Sequence, residues 1–194
     1  MGRTAVVTRC TRPPWCNRSV QFNHDNMTGA LLAADLVNLG ERGVWTVPEV
    51  QAVFREHVIR WSDVDKSDMP ALRRWTTRLR AVFVAPDEEQ RCRSINALLL
   101  DGVASVYLTT HDNHRPHLHF TPDENDLVGR VMAVTAGGLA IFTVEAEGGR
   151  LGACANAECV RVFVDTSRNG RRAYCSARCG NADAVRRHRA RKSH

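Results

Sequence analysis

The sequence predicts an α+β chain: an α-rich body with a small antiparallel sheet, then a small C-terminal zinc finger built from a hairpin and a helix. Three observations carry this. Apolar residues before position 150 recur mostly at helical spacing, behind recognisable cap residues. Only two short stretches, Ser105–Thr109 and Pro116–Thr121, alternate as strands do. Four of the seven cysteines gather as Cys154-x4-Cys159 and Cys175-x3-Cys179 with fifteen residues between the pairs. Two close pairs across a short span form the pattern of a four-thiolate zinc site holding one structural Zn2+.

The chain has 194 residues, room for one ordinary domain and a small one. Residues 1–20 read as a basic, disordered arm: Arg3, Arg9, Arg12 and Arg18 stand without an acid, beside Pro13-Pro14. Cys10 and Cys16 there have no partner pair close in sequence. This stretch lacks the continuous apolar core of a secretory signal. No apolar run approaches eighteen residues, so no transmembrane helix is expected. A metal-type cysteine pattern without a signal fits a reducing cytoplasm.

The body spans 21–149. Thr28–Leu39 predicts a helix through Leu31, Leu32, Leu36 and Leu39, stopped by Gly40. Thr46-Val47-Pro48-Glu49 is a capping box that opens a second helix towards Ile59. Asp68 caps a third, with Leu72, Trp75, Leu79 and Val82 on its apolar face. Pro86-Asp87-Glu88-Glu89 opens a fourth, which buries Ile95, Leu98 and Leu99. The two strands follow, joined around His111-Asp112-Asn113-His114. Asp123 is expected to cap a helix through Ala136, and Gly137-Gly138 to break it, with Leu139–Val144 undecided between helix and strand. Gly148-Gly149 is the seam before the finger, residues 150–194.

Within the finger, Asn169-Gly170 is a hairpin turn signal between Val162-Phe163-Val164 and Arg172-Ala173-Tyr174. Cys175 and Cys179, at i and i+4, share one face of a helix. About forty residues bury too little apolar surface to fold alone, so a metal is the expected staple. Eleven Arg and Lys against three acids give 150–194 a net charge of +8, while the whole chain is +6. The basicity is therefore local, the footprint of a nucleic-acid-binding module. The candidate contacts are Arg168, Arg171, Arg172, Arg178, Asn181, Arg186, Arg187, Arg189, Arg191 and Lys192. Spacing of about 100° per residue places Asn181, Ala184, Val185, His188 and Arg189 along one stripe that could enter a major groove. A solvated basic tail is the plainer alternative.

The run C-x4-C-x-R-x-F-V-D-x-S-R-N-G-R-R-x-x-C-S-x-x-C-G-N resembles the CGNR zinc finger. In that family the finger closes a chain whose larger part is an ABATE domain, described as a stress-induced transcription regulator. The similarity extends upstream through Leu31–Gly40 and His117–Phe120. It implies that Cys154, Cys159, Cys175 and Cys179 are the zinc ligands and that the chain regulates transcription; with the local basicity, DNA is the expected partner. Cys179-Gly180-Asn181 match the first three letters of the signature, and Ala182 stands where the family has Arg.

A second cluster lies in the body. His117 and His119 are expected on one face of a strand, near His111 and His114, with Asp112 or Asp123 able to complete a ligand or second metal site. It supports the alternative of a metal-dependent enzyme or ligand-binding protein. An ordinary half-exposed strand has the same alternation. No nucleophile elbow, phosphate loop or dinucleotide fingerprint is present, and a four-cysteine zinc site is coordinatively closed, so no enzyme is expected. A protein- or RNA-interaction finger is the remaining alternative. Phe163 and Tyr174 are its only aromatics, few for stacking single-stranded bases.

Overall fold

The structure, a computed structural model, describes residues 24–57, 59, 63–109, 117–120, 126–146 and 149–192. The arm at 1–20, with Cys10 and Cys16, lies outside them, as do His111, Asp112, His114, Asp123 and Gly148. Four helices come first: α1 (His24–Glu41), α2 (Val47–Glu56), α3 (Met69–Phe83) and α4 (Glu88–Gly102). Strands β1 (Tyr107–Thr109) and β2 (His117–His119) pair antiparallel with Leu108 opposite Leu118. Helix α5 (Leu127–Glu145), strands β3 (Leu151–Ala153) and β4 (Val162–Val164), and helix α6 (Ala177–Lys192) complete the elements of the described residues. The α+β reading, α-rich with a small antiparallel sheet and a C-terminal finger, holds.

The apolar spacing of α3 is realised: Leu72, Trp75, Leu79 and Val82 are buried. So are Ile95 and Leu98 of α4, with Leu99 packed at the edge of the core. Asp87 caps α4 by accepting the Gln90 N–H at 2.7 Å. Several boundaries differ from expectation. Helix α1 starts at His24 and runs through Gly40; the chain turns instead at Gly43, whose φ of 72° suits glycine. Helix α2 stops at Glu56, and its Thr46 hydroxyl bonds the Glu49 carboxylate at 3.3 Å rather than a backbone N–H. Asp68 precedes α3 but turns its carboxylate back to the Asp65 N–H at 2.9 Å. The cap of α5 is Asp126, which accepts the Gly129 N–H at 2.7 Å.

Gly137-Gly138 does not break the helix. Both lie inside α5, where a Cβ on Gly138 would meet the Gly29 Cα of α1 at 2.6 Å and one on Gly137 the Phe120 ring at 2.4 Å. Gly138 lets α1 and α5 touch backbone to backbone and Gly137 makes room for the Phe120 ring, so packing overrides their low helix propensity. Joining the two halves makes a helix of nineteen residues, long and apolar enough by composition to cross a membrane, which the expectation from apolar runs had missed. In this fold α5 packs against α1 and α4, with Val131, Ala133, Thr135, Ala136, Leu139 and Phe142 buried. Thr135 takes the Trp75 indole N–H at 2.9 Å, which ties α3 to α5.

The core does not end at the seam before residue 150. Leu151, Val162 and Val164 belong to the same apolar cluster as α1, α3, α4 and α5. Asn38, on α1 and buried, donates to the Val162 carbonyl at 3.1 Å and accepts the Val162 N–H at 2.9 Å. One side-chain amide thereby completes the open edge of β4 as a neighbouring strand would. Arg80 and Arg91 of the body also donate to the carbonyls of Val160 and Leu151.

Candidate metal centre and basic helix

Strands β3 and β4 set the first cysteine pair. Their register places Ala153 opposite Val162, and the Cys154 N–H extends the ladder to the Arg161 carbonyl at 2.8 Å. The pairing differs from the expected hairpin. The partner of β4 lies upstream at Leu151–Ala153, and Arg172-Ala173-Tyr174 forms no strand. The reason is burial: Leu151 joins the core, whereas Arg172 and Ala173 stay exposed. The Asn169-Gly170 turn does form, with Gly170 at φ 58°. Buried Asp165 organises it by accepting the N–H groups of Ser167 and Arg172 at 2.9 and 2.8 Å. Burial alone would raise this carboxyl, but hydrogen bonds from Ser167 and Arg172 and the Arg150 charge hold it below the usual range.

Three local devices bring the sulfurs together. Between Cys154 and Cys159 the chain turns on Asn156, whose carbonyl accepts the Cys159 N–H at 2.8 Å. The Ala155 N–H bonds the Ala173 carbonyl at 2.8 Å, which delivers Cys175 to the site. Ser176 caps α6 by accepting the Cys179 N–H at 3.2 Å, placing Cys179 in the first turn. Gly180 keeps that turn close to Tyr174, since a Cβ would meet the ring at 3.3 Å.

The result is a compact donor set. The Sγ atoms of Cys154, Cys159, Cys175 and Cys179 all lie within 4.8 Å of one another. Cys175 is 3.7 Å from Cys159 and 3.5 Å from Cys179. A tetrahedral ion with metal–sulfur bonds of about 2.3 Å sets its sulfurs about 3.8 Å apart. The electrostatics favour a cation. Burial, then the neighbouring sulfurs of Cys179, Cys159 and Cys154, pushes the Cys175 thiol up to about 12. The Ser176 hydroxyl, then Cys175, draws Cys179 down to about 7. A bound metal ion would neutralise thiolates set this close together. Residues 150–192 match the CGNR zinc finger family model. No curated protein matches the chain. The four cysteines of this CGNR finger fit one structural Zn2+.

Behind the metal ligands sits a polar hub that the sequence reading missed. Asp183, 5 % exposed, accepts the Tyr174 hydroxyl at 2.9 Å and pairs with Arg187 Nε at 3.1 Å and with Arg186. Arg186 also reaches Asn156 Oδ1 at 3.4 Å, joining α6 to the first cysteine turn. The spacing signalled it: Asp183 is the sole acid of α6, three and four residues before two arginines.

The hub divides the predicted nucleic-acid residues. Arg186 and Arg187 are held by Asp183, and Arg172 lies over the Phe163 ring at 5.0 Å while donating to the carbonyls of Tyr174 and Cys175. Arg168 and Arg171 are exposed around the Gly170 turn. Arg178, Asn181, Arg189, Arg191 and Lys192 are exposed on α6, as is Ala182. In the body, His119 sits beside Tyr107, ring centroids 5.3 Å apart, with the phenol oxygen 3.3 Å from Nδ1. His117 pairs through the backbone with Thr109. Among the described residues the four cysteines are the only group placed to hold a metal.

Proposed function

We propose that this chain is a zinc-stabilised, DNA-binding transcription regulator of the cytoplasm and not an enzyme. The finger and α6 contact DNA. The body, which resembles an ABATE domain, serves as the sensor or association domain. The observation that carries the reading is the exposed cationic surface beside the metal centre. Arg168, Arg171, Arg178, Arg191 and Lys192 project into solvent within one small unit, and α6 buries only Asp183. Such a surface attracts a polyanion and supplies affinity through counterion release.

The test is titration of zinc-loaded full-length protein into labelled random duplex DNA at several salt concentrations. Arg178→Ala with Lys192→Ala should flatten the slope of log K against log salt by up to about 1.8, roughly 0.9 for each lost phosphate contact. Absence of binding at the lowest salt would reject the DNA reading.

A further inference from the structure

The roll of α6 about its own axis is fixed by Asp183 and Cys179. Asp183 faces inward to Tyr174, Arg186 and Arg187, and Cys179 faces the metal centre. At about 100° per residue, Arg178, Asn181, Val185, His188 and Lys192 then fall within about 40° of the direction opposite Asp183. All five are exposed. Among the described residues none of the four polar ones has a hydrogen-bond or ion-pair partner. Val185, 49 % exposed, stands at the centre of this face on a helix otherwise dominated by polar and charged side chains. A β-branched apolar residue in that position contributes neither to the core nor to solvation.

We infer that α6 enters the major groove of B-form duplex DNA with this outward face, where Asn181 reads an adenine edge and Val185 contacts a thymine methyl. The proposal rests on the DNA reading above and deepens it. The dimensions agree: a helix fits a B-form major groove about 12 Å wide, whereas the A-form major groove is too narrow for it. Asn181 and Val185 are one turn apart, about 6 Å along the axis, or roughly two base-pair steps. An asparagine amide can donate to adenine N7 and accept from N6 together, and an aliphatic side chain packs on the thymine methyl. Arg178 and Lys192 lie about 21 Å apart at the ends of the face, placed to meet phosphates on the groove walls. Arg186 and Arg187, held by Asp183, orient the helix instead of reading bases.

The experiment selects binding sites from a random duplex library with full-length, zinc-loaded wild type, Asn181→Ala and Val185→Ala, alongside duplex RNA of the selected sequence. Wild type should enrich a site containing adenine. Asn181→Ala should lose about tenfold of the preference for that adenine, with zinc content and salt slope unchanged. Val185→Ala should relax a neighbouring thymine. Duplex RNA should bind far more weakly than DNA. An unchanged selected site in both variants, or equal affinity for duplex RNA, overturns groove reading while leaving DNA binding intact. No binding of any duplex by the wild type removes both readings together.

Discussion

Asp183 receives one hydroxyl and two guanidinium groups while almost wholly withdrawn from water. Its partners are themselves partly exposed, with side chains of Arg186 and Arg187 at 42 % and 59 %. The carboxylate therefore matters chiefly as the one buried acceptor on which a hydroxyl and two guanidinium groups converge. Asp183→Asn should destabilise the protein by about 1–3 kcal/mol in denaturant unfolding. It also has a spectroscopic consequence. The hydrogen bond to Asp183, then burial, raises the Tyr174 phenol above its ordinary 10. A raised folded value means stability fully present below pH 10 and lost as pH climbs through the folded value. In Asp183→Asn the phenolate of Tyr174 should form at lower pH, read by absorbance titration against a Tyr174→Phe reference. An unchanged titration would show that the hydroxyl is not held by Asp183. At this scale much was legible: ligand identity followed from cysteine spacing. Asp126 was confused with Asp123 because two acids three positions apart are equally good caps until the helix start is known.

Local signals fail at the scale of elements where a distant partner decides. The Gly137-Gly138 pair reads as a break because glycine weakens an isolated helix. In the fold it is the surface that α1 requires, with Gly29 against Gly138. The Asn169-Gly170 turn was readable, but its presence did not make Arg172–Tyr174 a strand. Leu151 outcompetes that segment because pairing it with Val164 adds apolar area to the core. By contrast, the stripe Leu72, Trp75, Leu79 and Val82 was legible because a single face meets the core over the whole helix. The two elements of the finger also depend differently on the metal. β3 and β4 pack on α1 and α3, whereas α6 is tied through Cys179 and the Asp183 hub. Cys175→Ser should therefore release the single zinc and speed amide exchange along α6, while the amides of Val162–Val164 stay protected. Stoichiometric zinc retained by the variant would sink the four-thiolate assignment.

For the molecule as a whole, composition separates an acidic body from a basic finger, yet packing joins them. The apolar cluster runs unbroken from α1 into β3 and β4, so the finger's sheet is part of the body's core. Asn38 is the polar member of this joint, 5 % exposed, with both hydrogen bonds spent on Val162. Nothing in the helical pattern of Leu31–Gly40 marked that asparagine, because its partner is 124 residues away. A finger so held cannot swing freely relative to α1, and a change in the body that shifts α1 would carry β4 and the metal centre with it. Asn38→Ala tests the joint. It leaves the Val162 N–H and C=O without their side-chain partner at the buried joint, a loss of about 1–3 kcal/mol. Wild type should unfold in one transition followed alike by helix content and zinc release, because one core serves both parts. The variant should unfold at lower denaturant, with zinc release preceding loss of helix as β4 detaches first. A variant within roughly 0.5 kcal/mol of wild type, unfolding in one step, would mean that apolar contacts alone hold the finger in place.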